Sequence, residues 1–215
     1  MFTLTELIAR VRTLLNDPNS LRFSDETLQE GARHALQTFS DRLPRELELE
    51  FTVVESGRSQ TLSGLDAPLY LMHIAYPAST SDLLEPDANF SYRMLDGQPV
   101  VHFLGGLVPQ AGELLRVAYA APHTLGGLDA PAETTLPDGA FTAMVNGTAG
   151  HASLLRAHAL LETSGVRPGD VDRLLKLAQL RLDLFEKNLA DLQIFQEFGF
   201  PPGFALDQWD NHGVF

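Results

Sequence analysis

Histidines and carboxylates are the side chains here that could carry chemistry, so their spacing decides what reactions are open. Of the seven histidines, His151 and His158 share a helical face two turns apart, about 10 Å along the axis. That is too far for one metal ion without a third ligand, and no acid follows either at a ligand-like interval. HExxH is absent. His34, His73, His102 and His123 stand alone and read as structural or surface groups. Glu46, Glu48 and Glu50 alternate with Leu47, Leu49 and Phe51. Residues two apart in a strand share a face, so these acids form a solvated surface and not an acid–base pair. No GxSxG elbow, Walker A loop or GxGxxG glycine pattern occurs. The chain has no cysteine, which removes disulfides, thiol nucleophiles and cysteine zinc sites. The expectation is a protein that is not an enzyme, with no metal and no cofactor.

Composition points the same way. The 215 residues are 44% hydrophobic, enough for a packed core and against global disorder. Formal net charge is −13, and the excess sits mid-chain. Residues 46–136 hold twelve acids against Arg58, Arg93 and Arg116. Such a body repels phosphate backbones and disfavours ordinary nucleic-acid binding. No apolar run approaches the ~18 residues of a membrane span. The N-terminus opens directly on an amphipathic pattern containing Glu6 and Arg10, so the expected product is soluble and made in a cytoplasm.

The strongest periodic signal lies at 170–198. Val171, Leu175, Ala178, Leu182, Phe185, Leu189 and Leu192 form a heptad seam. Leu174, Leu177, Leu180 or Arg181, and Leu184 form a second stripe beside it, able to face a third helix or another subunit. Asp170 is the expected N-cap, with Pro168 and Gly169 barring extension upstream and Gly199 and Pro201-Pro202 ending the helix. Earlier in the chain, Thr3 and Glu6 make a capping box, with Phe2 and Leu7 as a hydrophobic staple. Leu4, Leu7, Ile8, Val11, Leu14 and Leu15 continue as a helical stripe. Ser24 caps a second helix carrying Leu28, Ala32, Ala35, Leu36 and Phe39 inward. From Glu46 the period becomes two. Strands are expected at 46–53, 58–63, 70–76, 90–95, 100–104 and 113–120, with Asp96-Gly97 as a hairpin turn. Gly64-Leu65-Asp66-Ala67-Pro68 recurs as Gly127-Leu128-Asp129-Ala130-Pro131, which reads as one turn chemistry used twice. Helical spacing returns after Pro137 with Phe141, Val145, Thr148, Ala152, Leu155 and Ala159. Gly147 and Gly150 in that helix each cost ~1 kcal/mol of propensity, which argues for a packing role.

The fold class expected is α+β. A four-helix bundle is built from both chain ends (1–45 and 137–198), with a small antiparallel β subdomain (46–136) inserted and an extended arm (199–215) after it. The arm has no periodicity but keeps Phe200, Phe204, Trp209 and Phe215, aromatics that a merely solvated terminus does not need. It is therefore expected to dock on a partner.

The opening Thr3-Leu4-Thr5-Glu6-Leu7-Ile8-Ala9-Arg10-Val11-Arg12, then Leu14-Leu15-Asn16-Asp17, then Phe23-Ser24-Asp25-Glu26 with Leu28, Ala32 and Ala35, resembles the head–tail connector (adaptor) proteins of tailed bacteriophages. So does the later order: a β insertion ending in Leu115-Arg116-Val117-Ala118-Tyr119, then Leu136-Pro137 and two long helices. The resemblance covers roughly residues 2–198. It implies a structural virion protein at the head–tail interface, present in the host cytoplasm during assembly. It implies a ring, typically of twelve subunits, under the portal, which extends the DNA channel and joins the tail or a stopper protein. Its partners would be the portal protein, the tail or stopper, and other copies of itself. DNA would pass only as non-specific cargo through an acidic lumen, and no membrane is involved. The portal is the first partner implied for the arm, and a neighbouring subunit the second. Two other readings stand beside this one. One is a tail-completion or stopper protein of the neck. The other is a ligand-binding module that uses exposed aromatics of the β insertion, with Tyr70, Tyr76, Phe90, Tyr92 and Phe103 as candidates.

Overall fold

The computed structural model describes residues 1–65, 67–78, 88–163 and 167–198, the side chains of 168 and 195–198 excepted. The fold is α+β, with four α-helices and six strands among the described residues. The helices are α1 (Leu4–Leu14), α2 (Asp25–Arg42), α3 (Phe141–Leu161) and α4 (Pro168–Phe198). The strands are β1 (Arg45–Thr52), β2 (Ser59–Thr61), β3 (Tyr70–Ala75), β4 (Phe90–Leu95), β5 (Gln98–Phe103) and β6 (Leu114–Ala121). The chain divides into two compact units. One combines Met1–Leu43 with His123–Phe215, and the other is Pro44–Pro122.

The helix starts follow from local chemistry. At α1 the Glu6 amide donates to Thr3 Oγ1 at 3.4 Å while the Thr3 amide donates to Glu6 Oε2 at 2.8 Å, a reciprocal capping box. Phe2 is buried edge-on against Phe141, 4.8 Å between centroids. At α2 the Thr27 amide donates to Ser24 Oγ. The start of α4 differs from expectation. Pro168 and Gly169 lie inside the helix and do not precede it. The first helical position needs no amide donor and favours proline's fixed φ, so proline there opens a helix and does not bar one.

The helical unit converges on α3, which packs against α1, α2 and α4. Its residues from Ala143 to Gly150 are buried without interruption, and Ala152, Ser153 and Ala157 continue the burial. Small residues make this approach possible. A Cβ added at Gly31 of α2 would lie 2.8 Å from the Thr148 carbonyl oxygen and 3.0 Å from the Ala152 nitrogen. A Cβ at Gly147 would lie 2.9 Å from that of Ala35 and 3.1 Å from the Phe185 ring, and one at Gly150 would lie 2.8 Å from Leu182 Cγ. Along α4, Val171, Ala178, Phe185 and Leu189 are buried, and Leu174, Leu177 and Leu192 pack half-buried on the same core. Leu175, expected in the seam, is exposed. The seam therefore runs through Leu174 and not Leu175. A polar patch interrupts the α3–α4 contact. Arg181 Nη1 donates to Asn146 Oδ1 at 3.3 Å, and Asn146 Nδ2 donates to Asn188 Oδ1 at 3.2 Å.

The turn between α1 and α2 is built around Asp17, which is only 3% exposed. Its carboxylate accepts from the amides of Leu21, Arg22 and Phe23 at 2.9 to 3.2 Å and faces Arg12 Nη1 at 3.5 Å. Arg12 also donates to the Phe23 carbonyl and to Asp25. Burial alone would push this carboxyl up. The Phe23, Arg22 and Leu21 amides and the Arg12 charge outweigh that and hold it below its ordinary value of 3.8.

The other unit holds two three-stranded antiparallel sheets, ordered β1-β6-β3 and β2-β5-β4. They share one core that includes Leu71, Ile74, Val101, Phe103, Leu115 and Val117. Asp96 and Gly97 both have positive φ, as a two-residue hairpin turn requires. Pro99 lies within β5 opposite Met94, so it does not shorten the hairpin. The segment after Gly57 does not fold back on β1. As β2 it pairs with β5 instead. The insertion also ends earlier than expected, at Pro122 and not at 136. Leu125, Leu128 and Leu136 are buried in the helical core. His123 marks the return: its amide donates to Ser40 Oγ at 2.9 Å, and its ring nitrogens lie 3.0 Å from the Leu43 and Thr135 carbonyl oxygens.

Two outcomes test this packing. Gly31→Ala should lower stability by about 1–3 kcal/mol in chemical denaturation, because the methyl meets backbone, and this outweighs the ~1 kcal/mol gain in helix propensity. Gly169→Ala, which meets nothing within 4 Å, should be neutral or mildly stabilising. Asp17→Asn should cost about 1–3 kcal/mol at neutral pH. Because the folded carboxyl titrates below the unfolded one, the native carboxylate's advantage is complete above pH 3.8 and is lost as pH falls through the lowered value. Denaturation of the two proteins should therefore converge in acid.

Candidate functional site

The side chains that could carry chemistry are dispersed. Among the described residues no group of three or more histidines, aspartates or glutamates could hold a metal ion. His151 stacks on His34 of α2, 5.4 Å between ring centroids, and His34 Nε2 lies 3.6 Å from Glu30. Burial, and then the neighbouring His34, push the His151 ring pKa down, which keeps it neutral at physiological pH. His158 is exposed. Of the five aromatics of the β unit expected to bind a ligand, Phe90 and Tyr92 lie side by side on β4, 6.4 Å between centroids, but the five do not form one face. Phe103 and Tyr76 are buried in the core of that unit, whereas Tyr70 on β3 and Tyr92 on β4 are exposed on different sheets.

What the described residues do offer is two surfaces on α4, a helix of 31 residues and so about 46 Å long. The first is its side away from the core. Leu180 and Leu184, one turn apart, are 53% and 36% exposed, and Ile194 is 51% exposed further along. On a helix, residues four apart are surface neighbours, so the two leucines form one apolar spot. Leu184 thus belongs to this outer face, while Leu174 and Leu177 pack on the chain's own core. No helix among the described residues is long and apolar enough to cross a membrane.

The second surface is a cleft of about 560 Å³ beside the first turns of α4. Arg156 comes from the last turns of α3, Arg167 from just before α4, Arg173 from its second turn, and Arg22 from the turn held by Asp17. Phe23, Leu160, Leu174 and Leu177 share the lining with them. Arg22 is fixed by donating to the Leu15 and Asn16 carbonyls. Arg173 is largely exposed and lies 3.8 Å from Asp170, the carboxylate of the lining. No carboxylate among the described residues pairs with Arg156 or Arg167. Four of the chain's 15 basic side chains therefore gather in one place on a protein of net charge −13. Sequence reading missed this cleft. Its arginines come from three separate segments, and no period links them. Phe200, Phe204, Trp209 and Phe215, the aromatics expected to dock, lie outside the described residues.

No protein-family model matches the chain, and no curated protein matches it. Among solved structures, a chain in the neck of an empty gene transfer agent (GTA) particle computed with C6 symmetry is similar at 17% identity. That match covers 82% of this chain and 88% of that one with a TM-score of 0.30. A chain of the virion of a native GTA particle is 18% identical over 81% of this chain and 87% of its own, TM-score 0.31. One in the neck of a native GTA particle computed with C12 symmetry is 17% identical over 80% and 89%, TM-score 0.28.

Proposed function

We propose that this protein is a structural component of the neck of a phage-like particle: a head–tail adaptor whose copies form a ring under the portal, extend the DNA channel and join the tail. The observation that carries the reading is the outer face of α4. Leu180, Leu184 and Ile194 point away from their own core on the longest helix of the chain, where a neighbouring copy would cover them. The resemblance of residues 2–198 to connector proteins supports the same assembly. The four helices form the bundle that builds the ring wall, and the unit 44–122 stands as a separate module. An acidic body suits a conduit, since DNA passing through it must not adhere. Partners are then the portal, a tail or stopper protein, and the chain itself, and the protein's work is mechanical and not enzymatic.

Light scattering of the purified chain, alone and with portal-bearing heads, tests the ring. Leu180→Glu with Leu184→Glu should leave the melting transition within about 0.5 kcal/mol of wild type, since both side chains are exposed. The same pair should abolish self-association or retention on the heads. A chain that stays monomeric under both conditions, or a double variant that assembles as wild type does, refutes the reading.

A further inference from the structure

We infer that the arginine-lined cleft is the receptor for the 199–215 arm of a second copy of this chain. The inference deepens the ring reading, on which it rests, by assigning one intersubunit contact. Three features carry it. The first is charge. Arg22, Arg156, Arg167 and Arg173 line the cleft, and Asp170 is the one carboxylate among its described lining residues. The arm contains Asp207 and Asp210 and no lysine or arginine. With a net charge of −13 on the whole chain, a cluster of four arginines is a favourable place for an acidic segment. Bidentate guanidinium–carboxylate pairs give such a contact direction as well as attraction.

The second feature is the apolar lining. A cleft for bare phosphate needs no greasy surface, yet Leu160, Leu174 and Leu177, half-buried, share the lining with the arginines. Trp209 sits between Asp207 and Asp210 in sequence, separated by one residue on the first side and none on the other. An aromatic flanked by acids fits a lining that combines leucines with guanidinium groups. A volume of about 560 Å³ is within the range of pockets that enclose a side chain with its neighbours.

The third feature is reach. The arm follows Phe198, the last residue of α4, whereas the cleft is at that helix's start. Leu174 and Leu177 lie 21 to 24 residues before Phe198, about 32–36 Å along the axis. Trp209 comes 11 residues after Phe198, and a fully stretched chain of that length spans about 36–40 Å. Reaching its own cleft would require the arm to run straight back with almost no slack. A second copy, set head to tail, requires no such stretch and makes a heterologous contact, the kind of interface from which rings are built.

Trp209 is the chain's single tryptophan, so its fluorescence reads the seating of the arm in the full-length protein. Emission should shift to shorter wavelength as concentration rises. Arg156→Glu with Arg173→Glu should abolish that shift while circular dichroism stays unchanged, since neither arginine holds the fold together. A mixing experiment separates copies. One protein carries the two arginine reversals and Trp209→Phe. The other carries Asp207→Lys and Asp210→Lys and keeps Trp209. Neither should show the shift alone, and mixing should restore it. A shift independent of concentration would put the arm in its own cleft and overturn the inference. So would a mixture that stays unshifted, or a cleft that binds a duplex oligonucleotide while Trp209 ignores the arginine reversals. Light scattering on the same samples keeps the ring separate: oligomers that survive the reversals with no Trp209 response sink the arm assignment and leave the ring standing.

Discussion

The helical unit depends on how closely other backbones can approach α3. Gly31 sets the α2 backbone against the Thr148 carbonyl, and Gly147 and Gly150 open notches for the Phe185 ring and for Leu182. Close-packed interiors do not absorb even a methyl group freely, so these notches fix the register of α4 against α3. Register in turn decides exposure. With Phe185 against Gly147, Leu174 and Leu177 near the start of α4 pack on the core, while Leu180 and Leu184 further along are exposed. The link from Arg181 through Asn146 to Asn188 acts in the same direction. A buried polar contact contributes little net stability, but a shift along the helix would strand its donors. Both surfaces of α4 thus follow from glycines on its neighbour.

The electrostatic layout has its own structural cause. Asp17 uses its carboxylate to gather three amides of the α1–α2 turn, and the turn so shaped delivers Arg22 and Phe23 to the cleft. A buried acid therefore positions an exposed base. The remaining arginines arrive from the end of α3 and from either side of the start of α4, two segments close in sequence.

Much of the fold was readable from residue order. Thr3, Glu6 and Ser24 announce their helices through cap chemistry that is local by nature. The alternation after Glu46 and the Asp96-Gly97 turn announce strands and a hairpin for the same reason. The central role of α3 was not readable. Its helical spacing and the packing role of Gly147 and Gly150 were legible, but a helix buried on nearly all sides has no polar face to show how many neighbours surround it. Leu174 and Leu175 are adjacent, and apolar type alone did not say which one faces inward; the position of Leu182 and Phe185 over the α3 glycines does. The segment 123–136 has neither period, and only its contacts show that Leu125, Leu128 and Leu136 belong to the helical core. The pairing of Arg33 with Asp129, at 2.7 to 3.0 Å, spans a separation that no sequence window covers. The outer face of α4 was visible in sequence only in part: the second stripe contained Leu184, but its Leu174 and Leu177 pack on the core, and Ile194 was not in it. The arginine cleft was not visible, because it exists only once three segments meet.

The way His123 grips the Leu43 carbonyl has a bearing on how the chain acquires its fold. The two halves of the helical core are separated in sequence by everything from Pro44 to Pro122. For an unstructured loop of that length, bringing Leu43 and His123 together carries a closure entropy before any helix of the second half can dock. The antiparallel pairing of β1 with β6 brings Arg45 opposite Ala121, so the inserted unit on its own already holds the two crossing points near each other. Once its sheet has formed, the long loop behaves as a short one. The order of events that this favours places the insertion first and the helical core, including the docking of α3 against α2, second. The module in the middle of the chain would then act as a clasp that turns a distant pairing of helices into a local one.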